Sequence, residues 1–351
     1  MRRADRLPVK MELQMFAVPR LKSLLLGVAG LALLAGQASA QDLQKLTVVL
    51  GYIPDVESFG PVYAKEKGFF KDEGLDVTVV PAGVGVDQVQ MVSSGAATIG
   101  IVGPELILAG ESKGEKFKVF AGEFQRSPVA MTCSKASGVA KPSDLKGKTL
   151  GIKTTAAAYA DLFLQKNGVA KSDVKTMAIG PNDISTIVAG RIDCMITTFA
   201  FNEPRLIEDA GVPVNVISLG DYGLNNQMNS YFVKADFYDK PGSKEILAKY
   251  LRAEVKAWQQ FFKDPAGAAK FLVDGGYYDG LDLDQQVYQA QKQGAYMTSP
   301  LTKEKGLMWL DPAVWKETAQ NANDAHLTDG VVDTSDILTT DILEMAKPPK
   351  L

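Results

Sequence analysis

The stretch LTVVLGYIPDVESFGPVYAKEKGFFKDEGLDVTVV, residues 46–80, predicts a strand, a helix and a second strand in direct succession. Residues 46–52 are rich in β-branched side chains and are followed by Pro54, which is typical of a strand that ends in a loop. Residues 58–70 place apolar and charged side chains at helical spacing, and residues 76–80 form a second β-branched run. Strands joined by a helix of this length pair in parallel, so this stretch predicts a β–α–β unit.

The same alternation continues along the chain in two consecutive runs. Residues 45–122 form the first run and residues 129–219 the second, and each is long enough for one small open sheet. After a further predicted strand at 229–234 the chain is almost entirely helical. Predicted helices lie at 243–263, 265–273, 283–293, 312–325 and 336–345. The sequence therefore predicts an α/β protein with two small sheets and a helical C-terminal segment.

Composition excludes several classes of function. The 351 residues are 46% apolar and 23% charged, as in an ordinary globular protein. The net charge is −3 and no basic run occurs in the body of the chain, which argues against nucleic acid as a partner. One histidine, His326, and two cysteines, Cys133 and Cys194, are too few for a His/Cys zinc site or a disulfide-dense scaffold.

The first forty residues have the pattern of a signal peptide. Basic residues precede an apolar run at 24–35, which is too short to span a bilayer, and Ala-Ser-Ala follows at 38–40. We therefore expect cleavage before Gln41, with Met11 or Met15 as alternative starts. No cysteine lies near the cleavage point, so we expect a soluble exported protein and not a lipoprotein.

The two cysteines of the mature chain leave two interpretations open. Cys133 and Cys194 both lie in apolar, strand-like runs, which favours two buried free thiols. Export to an oxidising compartment makes a disulfide between them the alternative.

Several motifs occur in an order that carries a family resemblance. They are VVLGYIP at 48–54, GPVYAKEKGFF at 60–70, EGLDV at 73–77, SGAATIG at 94–100, DLKGK at 144–148, AGRID at 189–193 and VVD at 331–333. Over nearly the whole mature chain, this series resembles the periplasmic binding proteins of the nitrate/sulfonate/taurine and thiamine-pyrimidine group. The resemblance is specific for the family and weak for the ligand.

The resemblance implies a two-lobed, type II periplasmic-binding-protein fold of the venus-flytrap kind. Lobe one would consist of residues 41–125 and 228–351, and lobe two of residues 126–227. The chain would cross between the lobes near 123–127 and near 224–230, and the helical C-terminal segment would pack on lobe one. A ligand would bind in the cleft between the lobes, at the carboxyl ends of the strands, and hinge closure would bury it.

The function implied by this resemblance is the capture of a small solute in the periplasm for an ABC permease in the inner membrane. We expect a monomer that is not an enzyme and has no cofactor, no metal and no nucleic-acid partner. A ligand-sensing module with the same fold is one alternative. The fungal thiamine-pyrimidine synthases are another, but they use a histidine and a cysteine run with iron, whereas His326, Cys133 and Cys194 are isolated here.

Residues that directly follow the predicted strands are the candidate ligand contacts. In lobe one they are Tyr52, Asp55, Glu57, Ser58, Phe59, Gly85, Glu105, Glu123 and Phe124. In lobe two and at the return crossing they are Thr154, Thr155, Tyr159, Phe199, Glu203 and Asn225. Solvated loop carboxylates, helix caps and core aromatics are the structural alternatives for these residue types.

The carboxylates and aromatic rings of this set favour a flat nitrogen heterocycle, such as a thiamine-precursor pyrimidine. Carboxylates accept hydrogen bonds from ring amines, and aromatic side chains form walls for a flat ring. The alternative is a sulfonate, taurine or nitrate-type anion, which would bind at Thr154, Thr155 and Lys153 if the glutamates faced solvent.

Overall fold

The computed structural model describes residues 43–83, 85–180 and 183–350. The predicted signal peptide at 1–40 lies outside these residues. None of the helices in the described ranges is both long enough and apolar enough to cross a membrane.

Two mixed sheets, each of five strands, form the centre of the molecule. The strands are β1 Gln44–Val49, β2 Leu75–Val80, β3 Ile99–Val102, β4 Phe117–Gly122, β5 Val129–Ser134, β6 Thr149–Lys153, β7 Lys175–Ile179, β8 Cys194–Phe199, β9 Val214–Ser218 and β10 Ser230–Lys234. The first sheet has the order β2-β1-β3-β10-β4 and the second has the order β7-β6-β8-β5-β9. We call the first sheet with its helices lobe one and the second sheet with its helices lobe two.

Helices connect and cover the strands. They are α1 Phe59–Glu66, α2 Phe69–Asp72, α3 Gln88–Ser93, α4 Pro104–Ser112, α5 Ala157–Lys166, α6 Ser185–Val188, α7 Glu203–Asp209, α8 Ala235–Tyr238, α9 Ser243–Lys263, α10 Pro265–Asp274, α11 Leu283–Gln293, α12 Pro300–Lys305, α13 Pro312–Asp324 and α14 Asp341–Ala346. The predicted alternation of strand and helix, followed by a helical segment, is therefore present.

The first β–α–β unit forms as its sequence predicts, with one difference. Strands β1 and β2 pair in parallel, from Gln44 opposite Leu75 to Val49 opposite Val80. The single predicted helix is divided into α1 and α2, because Gly68 adopts a left-handed backbone with φ 75° between them. Glycine populates this region without the steric cost that a Cβ atom adds, which explains the glycine of the AKEKGFF motif.

The C-terminal helices pack on lobe one, and α9 makes the main contact. Its apolar face buries Tyr250 and Trp258 against α1 and α2, and the ring of Tyr250 stacks on Phe70 at 5.0 Å between centroids. A Cβ atom on Gly60 would lie 2.3 Å from Nε1 of Trp258, so the close approach of α1 and α9 requires glycine there.

The chain passes between the sheets twice. Strand β4 of the first sheet is followed by β5 of the second, and β9 of the second sheet is followed by β10, which returns antiparallel between β3 and β4. The two predicted crossings, 123–127 and 224–230, lie largely in these connections. The residue limits predicted for the lobes stay a prediction.

Helix α13 touches both lobes. It packs against α4 of lobe one, and the Nδ2 of Asn321 donates to the carbonyl of Gly223, 3.1 Å away, in the second connection. Ala325, directly after the helix, is buried in the apolar cluster of lobe two. The C-terminal segment is thus not confined to lobe one.

The two cysteines are joined, so the favoured interpretation as free thiols is wrong. Cys133 on β5 and Cys194 on β8 are direct antiparallel partners with Cα atoms 4.0 Å apart, and they form a disulfide. The two apolar runs that contain these cysteines form β5 and β8, which are neighbouring strands of one sheet. The sequence of each run alone does not show that the two strands pair.

The last predicted helix begins later than expected. Its first residues instead lie along β4, where the N–H of Val119 donates to the carbonyl of Ile337 and the N–H of Thr339 donates to the carbonyl of Val119. These edge hydrogen bonds compete with a helical turn, so α14 begins at Asp341.

Candidate functional site

Four carboxylates meet where the strand ends of the two lobes face each other. Asp55 and Glu57 follow β1, Glu123 follows β4, and Glu203 begins α7 just after β8. Glu57 lies within the electrostatic reach of both Asp55 and Glu203, and Glu123 within that of Asp55 and Glu57. We call these four residues the acidic cluster.

A short 3-10 turn after β1 presents the first two of these carboxylates. The turn spans Val56–Ser58, and Oδ1 of Asp55 caps it by accepting a hydrogen bond from the N–H of Glu57 at 3.0 Å. Asp55 is buried by this arrangement, with 5% of its surface exposed. The hydroxyl of Ser58 donates to the carbonyl of Ile53 and therefore stabilises the turn.

Helix α11 holds this turn through a row of glutamines. Gln286 accepts from the N–H of Val56 at 3.1 Å, Gln293 donates to the carbonyl of Val56 at 3.2 Å, and Gln289 donates to Oε1 of Glu57 at 3.3 Å. We call Gln285, Gln286, Gln289 and Gln293 the glutamine face. It supplies neutral amides, and no positive charge, to the acidic cluster.

Glu203 differs from the other members because it has a cationic partner. The Nζ of Lys153 lies 2.8 Å from Oε1 of Glu203, and the N–H of Phe199 donates to Oε2 at 2.8 Å. The same Nζ also donates to the carbonyl of Thr197, whose backbone is held at φ 62°. The ammonium of Lys153 is therefore already engaged within lobe two.

Glu123 has few partners of its own. Its Oε2 accepts one long hydrogen bond, 3.4 Å, from Nδ2 of Asn229, and its Oε1 has no partner among the described residues. Only 1% of its surface is exposed. Asn229 itself has φ 53°, so a strained backbone conformation places its amide there.

The lobes contact each other across the cleft. The hydroxyl of Tyr159 in lobe two lies 3.3 Å from Oε1 of Glu105 in lobe one, and Nδ2 of Asn226 donates to the same oxygen at 2.5 Å. Nearby, Nε2 of Gln285 donates to Oδ1 of Asn202 at 2.9 Å. Two predicted contacts, Glu105 and Tyr159, are thus brought together from opposite lobes.

Aromatic rings continue the contact between the lobes. Phe124 of the first crossing lies 6.0 Å from Phe201 of lobe two, and Phe201 lies 5.8 Å from Phe199 and 5.5 Å from Tyr296. Phe124 and Phe201 are fully buried, whereas Phe199 is partly exposed beside Glu203. Phe199 and Tyr296 are therefore the rings of this set that remain partly accessible.

The remaining predicted contacts lie in other surroundings. Phe59 packs in the core of lobe one against Tyr63, and Tyr52 is 38% exposed. Gly85 lies in a turn beside an open groove on lobe one, away from the acidic cluster. Thr154 and Thr155 are exposed, and Asn225 accepts from the N–H of Ser127, where it fixes the crossing. Their roles as ligand contacts stay predictions.

Burial raises the pKa of three carboxyl groups of the cluster, those of Asp55, Glu57 and Glu123. Desolvation is the largest cause for Asp55, and it raises the pKa of this group to about 7 even though the backbone hydrogen bond from Glu57 acts in the other direction. Desolvation together with the charges of Asp55 and Glu203 raises the pKa of Glu57 well above its ordinary value. Desolvation, followed by the charge of Glu57, also raises the pKa of Glu123. Groups of this kind hold protons near neutral pH unless a positive charge replaces those protons.

The glutamine face is the part of the site that the sequence analysis missed. Gln286, Gln289 and Gln293 are all buried, although they lie on a helix whose sequence, LDQQVYQAQKQ, is strongly polar. Their spacing of three and four residues places them on one helical face. An amphipathic helix with glutamines on its inward face was therefore visible as a pattern, but its contact with the β1 loop was not.

Comparison with known proteins identifies relatives over most of the chain. The family profile described as NMT1/THI5 like matches residues 56–268. The riboflavin-binding protein RibY of Chloroflexus aurantiacus is 27% identical over 313 residues, which cover 86% of this chain and 86% of RibY. The formylaminopyrimidine-binding protein of Halalkalibacterium halodurans is 26% identical over 320 residues, which cover 86% of this chain and 96% of the relative.

An enzyme and a solved transport receptor are also similar. The 4-amino-5-hydroxymethyl-2-methylpyrimidine phosphate synthase THI13 of Saccharomyces cerevisiae is 24% identical over 269 residues, which cover 73% of this chain and 78% of the synthase. The periplasmic aliphatic sulphonate binding protein SsuA from Escherichia coli superposes with a TM-score of 0.61 at 14% identity, over 88% of this chain and 94% of SsuA. The superposition shows the two-lobed periplasmic-binding-protein fold, as predicted.

Proposed function

The chain belongs to the NMT1/THI5-like family, and from this premise we propose that it is the solute-binding component of an ABC import system. It captures a small ligand between its lobes by hinge closure and delivers this ligand to a permease in the inner membrane. In this proposal the protein acts in the periplasm, as a monomer and without a cofactor. Relatives named as binding proteins, which align over most of the chain, support this assignment.

The proposed ligand is a flat nitrogen heterocycle that donates N–H hydrogen bonds. The observation that carries this proposal is the acidic cluster, in which Asp55, Glu57 and Glu123 have amide neighbours and no cation within salt-bridge distance in the described part of the chain. A ring amine that donates to such a carboxylate makes a charge-assisted hydrogen bond. The names of two relatives, for riboflavin and for a formylaminopyrimidine, agree with a ligand of this class.

An anion such as a sulfonate or nitrate is the weaker candidate. Lys153 is the cation nearest to the acidic cluster, and its ammonium is 2.8 Å from Glu203. An oxyanion would therefore require these acids to stay protonated, because their ionised forms would repel it strongly in a site that excludes water. The similarity to SsuA concerns the fold, which does not determine the ligand.

The similarity to a yeast pyrimidine phosphate synthase favours an alternative function, catalysis of pyrimidine synthesis. In this chain Cys133 and Cys194 are joined in a disulfide inside lobe two, so neither supplies a thiolate. His326 is exposed after α13, away from the acidic cluster. The binding role therefore fits these residues better than catalysis does.

A thermal-shift titration tests the proposal. We expect 4-amino-5-hydroxymethyl-2-methylpyrimidine or riboflavin to raise the melting temperature with increasing concentration, and taurine and nitrate to leave it unchanged. We expect Glu123→Gln to weaken binding of the active compound about tenfold to 100-fold, because it removes a charged acceptor.

The matched control is Glu73→Gln, which breaks an ion pair with Arg252 between α2 and α9 and leaves the cleft intact. This variant should bind like the parent protein. Stabilisation by taurine or nitrate, with no response to either heterocycle, would show that the carboxylates do not select the ligand.

A further inference from the structure

The charges of the acidic cluster do not balance within the protein. Lys153 neutralises Glu203, which leaves Asp55, Glu57 and Glu123 without a cationic partner within salt-bridge distance among the described residues. Buried carboxylates are rarely left in this condition, because an unpaired buried charge is costly. A proton or a positive group from outside must therefore accompany these acids when the lobes are in contact.

The elements packed around the cluster do not supply that charge. Helix α9 contributes a further acid, Glu254, whose negative charge acts on Glu123. Tyr231 and Trp258 donate to Oε1 of Glu254 and not to the cluster. Helix α11 contributes the amides of the glutamine face.

The neighbouring guanidinium groups point elsewhere. Arg126 lies over the ring of Tyr296 and within 4.0 Å of Asp221, and Arg205 pairs with Asp209 at 2.7 Å. Among the described residues, Lys153 is therefore the one cation that forms a salt bridge with a member of the acidic cluster.

Hydrogen-bond acceptors remain unused at the same place. Oε1 of Glu123 and Oε1 of Gln289 are both buried without a hydrogen-bond partner in the described residues. Nε2 of Gln289 already donates to Glu57, and Nδ2 of Asn229 already donates to Glu123, so each amide has one N–H group engaged by an acid. An occupant that donates hydrogen bonds would satisfy the two acceptor oxygens that have no partner.

We propose that the acidic cluster is a subsite for a cationic, flat head group of the amidinium or guanidinium type, which donates N–H hydrogen bonds to Glu57 and Glu123. This inference rests on the proposed capture of a ligand between the lobes and adds the charge of that ligand. A planar amidinium presents parallel N–H donors that match the two oxygens of a carboxylate. Phe199, partly exposed beside Glu203, can contact the ring that carries the head group.

The cation takes the place of protons that the cluster otherwise holds. Burial raises the pKa of Asp55 to about 7 and raises that of Glu57 and Glu123 as well. A fixed cation therefore competes with protons for these acids, and its affinity falls as the pH is lowered.

A pair of fragments that differ in charge but hardly in shape tests the subsite. Benzamidinium is a flat cation throughout the pH range used, and benzamide is its neutral counterpart. We expect calorimetry on the full chain to detect benzamidinium binding and no comparable binding of benzamide. We expect the affinity for benzamidinium to fall as the pH is lowered from about pH 8 to about pH 6, since the cation and protons compete for the same carboxyl groups.

Glu57→Gln and Glu123→Gln provide two independent tests of position. Each keeps the shape of the side chain, and each should reduce benzamidinium affinity about tenfold or more. Glu73→Gln, outside the cleft, should retain the parent affinity and the parent pH dependence. Thermal melts of all three variants show whether they are folded.

The outcomes separate this inference from the proposed function. Binding of a heterocycle without any binding of benzamidinium, or equal binding of benzamide, would overturn the cationic subsite and leave the transport role intact. Benzamidinium binding that depends on Glu57 and Glu123, in a protein that ignores every heterocycle, would support the subsite and reject the heterocycle. Benzamidinium binding that neither variant weakens would also overturn the inference.

Discussion

A buried glutamate lies beside each end of strand β4, Glu111 of helix α4 at its start and Glu123 directly after its last residue, and the two glutamates have opposite surroundings. At the start of the strand, Oε1 of Glu111 accepts from the N–H of Phe117 at 2.5 Å, and its Oε2 lies 3.1 Å from the ammonium of Lys116. At the other end, Glu123 has one long hydrogen bond from Asn229 and an oxygen without a partner.

The difference in hydrogen-bond partners distinguishes a structural acid, whose carboxylate is satisfied within the protein, from an acid that has an oxygen without a partner. The carboxylate of Glu111 accepts a hydrogen bond from the backbone N–H of Phe117 and forms an ion pair with Lys116 of the same lobe, so it stabilises the turn before β4. Glu123 lies at the carboxyl end of the strand, which is where open α/β sheets bind ligands. A buried carboxylate therefore points to a ligand site only when the groups of the protein that donate hydrogen bonds to it are too few to satisfy its oxygens.

The largest expected effect on stability comes from removing the cationic partner of Glu203, which would leave this carboxylate without an ion pair, as Glu123 is. We expect Lys153→Met to lower the free energy of unfolding by about 3 kcal/mol, because it leaves the buried Glu203 carboxylate without its cation. Urea unfolding followed by circular dichroism measures this change.

The double variant Lys153→Met with Glu203→Gln is the control for this experiment. It also removes the unpaired negative charge of Glu203, so it should recover most of the lost free energy of unfolding. If the double variant were as unstable as Lys153→Met, packing of the lysine stem and not charge would explain the loss.

A smaller effect is expected in the pH dependence of stability, through Asp55. Its pKa is raised to about 7 in the folded protein, so its ionisation disfavours the fold progressively from about pH 4 to about pH 7. Asp55→Asn removes this penalty and retains a side chain able to cap the turn. The stability advantage of the variant over the parent should therefore grow by about 2 kcal/mol as the pH rises from about pH 5 to about pH 7.

Asp87→Asn is matched to this substitution, because Asp87 caps α3 in the same manner but is exposed. Urea unfolding at a series of pH values measures both variants against the parent. A stability difference for Asp55→Asn that stays constant over this pH range would refute the assignment of a proton to the acidic cluster.

The smallest expected effect tests the comparison itself, with one substitution at each end of β4. Glu111→Gln should cost about 1–2 kcal/mol of unfolding free energy, because it weakens hydrogen bonds to a buried N–H and to Lys116. Glu123→Gln should leave the stability of the ligand-free protein unchanged or raise it slightly, because it removes an uncompensated charge. Equal losses at both positions would mean that Glu123 is a structural residue like Glu111.

Local patterns were sufficient to predict much of this molecule. The alternation in residues 46–80 fixes β1, α1 and β2, because each element is determined by side chains close together in sequence. Glu57, Glu105, Glu123 and Glu203 were all predicted as cleft residues, because open α/β sheets bind ligands at the carboxyl ends of their strands. Glu57, Glu123 and Glu203 lie together in the acidic cluster, whereas Glu105 lies beside Asn226 and Tyr159 instead.

Contacts between distant segments were not predictable in the same way. The glutamine face lies about 230 residues after the turn that it holds, and its polar sequence is also typical of a solvated helix. The pairing of Cys133 with Cys194 depends on the order of β5 and β8 in the second sheet. Both features arise from tertiary packing, which the spacing of residues within one element does not encode.

Helix α13 has a mechanical consequence for the pair of lobes. Two connections alone would leave the lobes free both to swing and to twist about the line that joins them. Helix α13 rests on α4 of lobe one and binds Gly223 of the second connection, and Ala325 directly after it is buried in the apolar cluster of lobe two. It therefore adds a further contact that joins the two lobes. We expect this contact to resist twisting of the lobes more than swinging, so that the proposed hinge movement would bring the same residues of each lobe face to face.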